Sequence, residues 1–254
     1  MEATDYTQRH NIQDNNMARR MAEEAIAMCP DNPMGYIRLG YIYRRDFLLG
    51  NTKSPRETIE KGIELGQKAL AMDDSLAIAH ALMCELYMEK REYDKAIAEG
   101  ERGVALNPGG TSELADYAVS LCYAGRPGEA IQLFQKAFRL NPCNPTNLYW
   151  QFGIALRDEG RFEEAVTALK KAIQLAPNNL RAHYSLAATY IMMGREKEAR
   201  AEAAEVLSIN PKFSLEYLAK ILAYKDQSQT DKVINALRKA GLKWVWVTCK
   251  KFLI

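Results

Sequence analysis

Three histidines, five cysteines and several paired carboxylates are the groups in this 254-residue chain that could ligate a metal or act as nucleophile, acid or base. Such chemistry needs those groups to converge, as two histidines and a glutamate do on one helix face in an HExxH site. His10, His80 and His183 stand far apart and complete no set of that kind. Cys29, Cys84, Cys122, Cys143 and Cys249 are odd in number, widely spaced and without a CxxC pair, so they read as reduced packing residues rather than a disulfide framework. The stretch NPGGTSEL, with Gly109 and Gly110, lacks both GxGxxG and GxxxxGK and reads as a turn instead of a phosphate cradle. The carboxylates of Glu163, Glu164, Glu198 and Glu202 are expected to face water, and His80 and His183 to pack within helices. No catalytic residue, no metal and no cofactor is expected.

The elements that carry these residues repeat. GRFEEAVTALKKAIQLAPNN, from Gly160, shares its skeleton with GRPGEAIQLFQKAFRLNPCN, from Gly125. A small residue recurs as Gly62, Ala96, Ala130, Ala165 and Ala199, at steps of 34, 34, 35 and 34. Seven residues later a second small position holds Ala69, Gly103, Ala137 and Ala172, with Val206 as the exception. Pro30, Pro108, Pro142, Pro177 and Pro211 close the units, Asp74 stands where a further proline would fall, and ten extra residues lie between Pro30 and Asp74. Apolar residues at spacings of three and four, such as Ala165, Leu169, Ala172 and Ile173, mark amphipathic helices. In one unit the first helix is predicted from Asn147 to Asp158 and stopped by Gly160, and the second from Phe162 to Leu175 and stopped by Pro177. Small residues at fixed places let the two helix backbones approach closely.

Five units follow, at 33–76 with the insertion, 77–110, 111–145, 146–179 and 180–213. Residues 1–32 form a truncated unit, mainly its second helix, MARRMAEEAIAMC. Residues 214–242 give two capping helices, the last N-capped by Thr230 or Asp231 and ended by Gly241. The tail 243–254, KWVWVTCKKFLI, fits neither pattern, and its Trp244 and Trp246, with the edge of the N-terminal helix, could support self-association.

The charge balance is even. A formal net charge of +2, with lysine and arginine interspersed among glutamate, provides no field for nucleic acid or an anionic membrane. The polar start MEATDYTQRHNIQDNN has no signal-peptide core and no window spans a bilayer, so a cytoplasmic setting is expected.

This pattern resembles the tetratricopeptide repeat, whose 34-residue unit carries aromatic, Leu-Gly, Tyr, Ala, Phe, Ala and Pro at these offsets. Tyr149, Phe152, Gly153, Ala165 and Pro177 show it in one unit, and Gly40 and Gly153 hold a place taken by Cys84, Ala118 and Ala187 elsewhere. The resemblance covers roughly residues 17 to 213. It implies an all-α, right-handed superhelical α-solenoid with a helical cap. It also implies a concave groove for a protein or peptide ligand, lined by the first helices. Matching the family's inward slots gives Ile37, Tyr41, Arg44 and Arg45; Ala81, Glu85 and Met88; Ser112, Val119 and Tyr123; Asn147, Trp150, Ile154 and Arg157; and Arg181, Tyr184, Ala188 and Ile191. Of these, Trp150, Tyr184 and Tyr123 are candidate aromatic anchors, and Arg157 and Arg181 candidate carboxylate contacts. The carboxylate clamp of chaperone-binding members is not reproduced.

Three stretches, LLGNTKSPRETIEKGIELGQKALAMDDSLAIAHAL, REYDKAIAEGERGVALNPGG and the ending GREKEARAEAAEVLSINPKFSLEYLAKILAYKDQSQTDKVINALRKAGL, look like the C-terminal repeat region of bacterial proteins with a class III adenylate or guanylate cyclase domain. That likeness implies a regulatory arm whose catalytic domain lies outside this chain. The expected function is a non-catalytic interaction scaffold, with cyclase regulation as the alternative.

Overall fold

The computed structural model describes residues 3–142 and 146–243, with side chains from Gln13 to Pro142 and from Leu148 to Lys243. Asn147, His10, Cys143, Cys249 and the tryptophans of the tail therefore lie outside the described side chains. Among the described residues there are thirteen helices and no strand.

The chain divides into two compact units, residues 1–142 and 143–254. The first holds α1 (Ala3–Met28), α2 (Pro33–Leu48), α3 (Pro55–Met72), α4 (Ala77–Glu89), α5 (Tyr93–Leu106), α6 (Thr111–Tyr123) and α7 (Pro127–Leu140). The second holds α8 (Thr146–Asp158), α9 (Phe162–Leu175), α10 (Leu180–Met192), α11 (Glu196–Ile209), α12 (Leu215–Ile221) and α13 (Gln227–Lys239). Within each unit consecutive helices pair as antiparallel hairpins, and each hairpin packs on the next.

Local chemistry sets the boundaries. Asn32 caps α2, its Oδ1 accepting from the Met34 amide at 2.9 Å with Pro33 in the first turn; Asn179 caps α10 by accepting from the Ala182 amide at 3.1 Å. Between the paired helices the chain turns through a left-handed residue, Gly125, Gly160 or Gly194, at φ of +87°, +84° and +76°. The hairpin of α4 and α5 places Arg91 there instead, at φ +64°.

The repeated small residues occupy the crossings. Ala69, Ala96, Ala130, Ala137, Ala165, Ala172 and Ala199 are fully buried, and so is Val206, the exception to the small-residue rule. A Cβ on Gly153 would lie 2.6 Å from Leu169 Cγ, and one on Gly40 would lie 2.6 Å from Leu82 Cδ2, so both glycines are places where a neighbouring leucine fills the room a side chain would need. Leu82, Leu86, Leu114, Phe134, Leu169 and Leu186 are almost wholly buried, each contributing roughly 1.5–3 kcal/mol by leaving water.

Two expectations from sequence are corrected. The N-terminal segment is one unbroken helix from Ala3 to Met28, since no glycine or proline interrupts it. The last helix begins earlier than Thr230: Asp226 is the cap, accepting from the Ser228 amide at 2.9 Å, while Thr230 is buried inside the helix. Gly241, at φ +104°, lies just beyond its end.

Candidate functional site

In unit 1 the first helices α2, α4 and α6 lie side by side and bring slot residues of three successive repeats together. Arg44 on α2 reaches across to α4, its Nη1 2.9 Å from Glu85 Oε1 and its Nη2 3.3 Å from Glu89 Oε1. Tyr41, one turn earlier, sends its hydroxyl towards the Ile78 carbonyl at 3.5 Å. Asp116, from α6, feels the charges of Glu85, Arg44 and Glu113. Tyr41, Val119 and Tyr123 are partly buried against the core that Ile37, Leu82 and Leu86 help to form.

The electrostatics are uneven. Burial alone would lower the affinity of Arg44 for its proton, but Glu85, Glu89 and Asp116 outweigh it and hold the guanidinium charged. The Asp116 carboxyl is pushed well above the usual carboxylate range, first by burial and then by Glu85, against the opposing pull of Arg44. The Tyr41 phenol is raised by burial and then by Glu85 and Asp116. Glu89 and Asp116 were missed from sequence. Glu89 follows Glu85 by four residues and Asp116 precedes Val119 by three, so helical spacing puts both on the slot-bearing face.

The other slot residues of unit 1 divide between core and surface. Ile37, Ala81 and Met88 are buried, whereas Arg45 and Ser112 are exposed. In unit 2, Trp150 and Tyr184 are each 7% exposed and belong to the packing: Tyr184 stacks against Phe213 at 5.9 Å, and the Arg181 guanidinium lies 5.3 Å from the Trp150 ring. Ile154 and Ala188 are buried as well, and Arg181 and Ile191 are half-buried. Arg157, expected to meet a ligand carboxylate, is buried and meets one of the chain's own. It is 2.8 Å from Asp158 and donates to the Tyr224 hydroxyl at 2.7 Å, which in turn donates to Asp158 at 2.6 Å. The closed triad ties the segment after α12 to α8.

His80 and His183 are held alike, each between a glutamate and a main-chain carbonyl. His80 Nδ1 is 2.6 Å from Glu99 and its Nε2 3.0 Å from the Asp74 carbonyl; His183 Nδ1 is 2.7 Å from Glu202 and its Nε2 2.8 Å from the Pro177 carbonyl. Glu202 thus serves its hairpin partner instead of facing only water. Cys84 is buried with Sγ 3.1 Å from Ser120 Oγ, and burial pushes its thiol up, which suits a packing residue. Among the described residues no group of histidine, cysteine or carboxylate could hold a metal ion, and no helix is long and apolar enough to cross a membrane.

Paired helices of this length, small residues at their crossings and a first-helix face shared by neighbouring repeats define the tetratricopeptide class of fold. Residues 156–223 match the tetratricopeptide repeat family model. Over 82 residues the chain is 37% identical to the peroxisomal targeting signal receptor of Saccharomyces cerevisiae, a match covering 32% of this chain and 13% of that protein. Two further peroxisomal targeting signal receptors, of Candida glabrata and Kluyveromyces lactis, are spanned over 13% and 16% of their lengths. Among solved structures, a thermophilic tetratricopeptide protein of Thermus thermophilus superposes with a TM-score of 0.60 at 22% identity, over 81% of this chain and 99% of its own. The type IV pilus biogenesis factor PilW does so with a TM-score of 0.57 at 22% identity, over 90% of each chain. The chain therefore has the all-α tetratricopeptide-repeat fold.

Proposed function

We propose that this chain is a non-catalytic protein-interaction scaffold that holds a peptide, or an extended segment of a partner, on the face formed by α2, α4 and α6. The observation that carries the reading is the meeting of Arg44 with Glu85 and Glu89 across two repeats, beside Tyr41 and Tyr123. A surface built from successive rigid hairpins is ready before the ligand arrives, so little ordering cost falls on the protein side. A relative over part of the chain, named as a receptor for a targeting signal, supports the same kind of ligand.

The experiment is selection of short labelled peptides on the purified full chain, followed by affinity measurement with Tyr123→Ala and with Arg181→Ala as a variant in unit 2. Weakening by about tenfold in Tyr123→Ala, with Arg181→Ala unaffected, is the expected result for a contact of this kind. Equal affinity in wild type and Tyr123→Ala would remove this face from the reading. The likeness of the insertion and the C-terminal ending to cyclase-associated arms extends the proposal to a regulatory arm of a nucleotidyl cyclase. A gene with no cyclase domain in frame with Met1 would end that extension.

A further inference from the structure

We propose that two copies of this chain pair through the outer face of α1, antiparallel, each helix covering the methionines of the other.

The inner face of α1 is fixed on α2. Ala22 and Ile26 pack with Leu39 and Ile42, and the Asn15 amide donates to Asp46 Oδ1 at 2.7 Å and to the Ile42 carbonyl at 3.3 Å. Arg19 pairs with Asp46 and lies 4.3 Å from the centre of the Tyr43 ring. These contacts set the rotation of the helix, so its other side is presented in one orientation. Met17, Ala18, Met21, Ala25 and Met28 share that side at helical spacings, and all are exposed, the three methionines at 63%, 61% and 82%.

The repeat register marks this stripe as a packing face without its partner. Ala18 and Ala25 stand twelve and five residues before Pro30, as Ala130 and Ala137 stand before Pro142 and Ala165 and Ala172 before Pro177. In every later hairpin the two small positions are buried, where the second helix closes on the first helix of its own hairpin. α1 packs on α2 as α3 packs on α4 and α5 on α6, but among the described residues no helix packs extensively on its outer side. Small residues allow a helix to approach closely there, and methionines adapt to fill the space around the crossing.

Charge selects which helix that is. About the midpoint between Met21 and Ala22, the run Ala18-Arg19-Arg20-Met21-Ala22-Glu23-Glu24-Ala25 is complementary to its own reverse. Laid antiparallel on a second copy, Ala18 meets Ala25, Met21 lies at the shared centre, and Arg20 falls opposite Glu24 with Glu23 beside it. Arg20 and Glu24, four residues apart, lie along one flank of the stripe, and a two-fold axis between antiparallel helices brings that flank against itself. Arg19 is held by Asp46, whereas Arg20, Glu23 and Glu24 are exposed and enter no ion pair among the described residues. A parallel pair would set Arg20 against Arg20 and Glu24 against Glu24, so only the antiparallel order joins opposite charges. The same patch is used on both copies, a closed contact that stops at the dimer.

The test is sedimentation velocity of the full chain from about 1 to about 200 μM, where a dimer with a dissociation constant in roughly the micromolar range is expected. Met21→Glu, a change at an exposed position, should weaken pairing by about tenfold or more while circular dichroism and the thermal transition stay as in the wild type. Arg20→Glu alone, and Glu23→Arg with Glu24→Arg, should each weaken it by about tenfold, and all three substitutions together should restore it, because opposite charges then meet again in antiparallel order. A monomer at every concentration would overturn the proposal, and if Met21 in that monomer resisted peroxide oxidation, another segment of the chain would be the occupant. A dimer indifferent to Met21→Glu would overturn it too, and loss of that dimer on deleting residues 243–254 would assign the contact to the tail. A dimer weakened by Met21→Glu but not restored by the combined charge reversal would overturn the antiparallel register.

Discussion

His183 shows how much a single ring can report. Both its nitrogens face acceptors, Glu202 and the Pro177 carbonyl, and its proton affinity is raised, chiefly by the Glu202 hydrogen bond, against the opposing effect of burial. The folded chain therefore holds the imidazolium more tightly than the unfolded chain does. Its stabilisation is complete below the unfolded value of about 6.5 and is lost as pH rises through the higher folded value. The difference in urea midpoint between wild type and His183→Gln should shrink as pH rises above about 6.5, and Glu202→Gln should remove most of that dependence. Arg91 offers a residue-scale prediction of opposite sign. It takes a left-handed turn that four other hairpins give to glycine, at the cost of Cβ crowding, although its guanidinium hydrogen-bonds Tyr93. Arg91→Gly should stabilise by up to about 1 kcal/mol, whereas Gly160→Ala should destabilise by about that much, both measured by urea unfolding.

At the scale of the helix, crossings and ties decide stability. Ala172 is fully buried where α9 closes on its neighbours, so Ala172→Leu should cost about 1–3 kcal/mol through overpacking. Tyr224→Phe removes a hydroxyl that serves Arg157 and Asp158 together and should cost about 1–3 kcal/mol, read as an earlier thermal transition. The hairpins were legible because glycine and proline punctuate them: Gly160 and Pro177 bracket a helix that does run from Phe162 to Leu175. What was not legible depends on three dimensions. Slot rules treat each repeat alone, so they assign Trp150 and Tyr184 to a groove although packing encloses them, and they pass over Asp116, whose meaning comes from helices two hairpins apart. The cap at Asp226 escaped notice because Thr230 offers an equally good capping side chain, and only the course of the preceding chain decides between them.

At the scale of the whole chain, the end elements carry a particular burden. The last described helix, α13, packs on α10 and buries Val233, Leu237 and Ile234. Removing residues 227–254 should strip hydrogen-exchange protection from α10 while α8 and α9 keep more of theirs, because a stacked array loses stability mainly in the neighbour of the deleted element. In unit 1 the extensive contacts join helices adjacent in sequence or next but one. A nascent polypeptide with that wiring never waits for a distant segment: each pair of helices can settle as it leaves the ribosome, and the order of synthesis becomes the order of assembly.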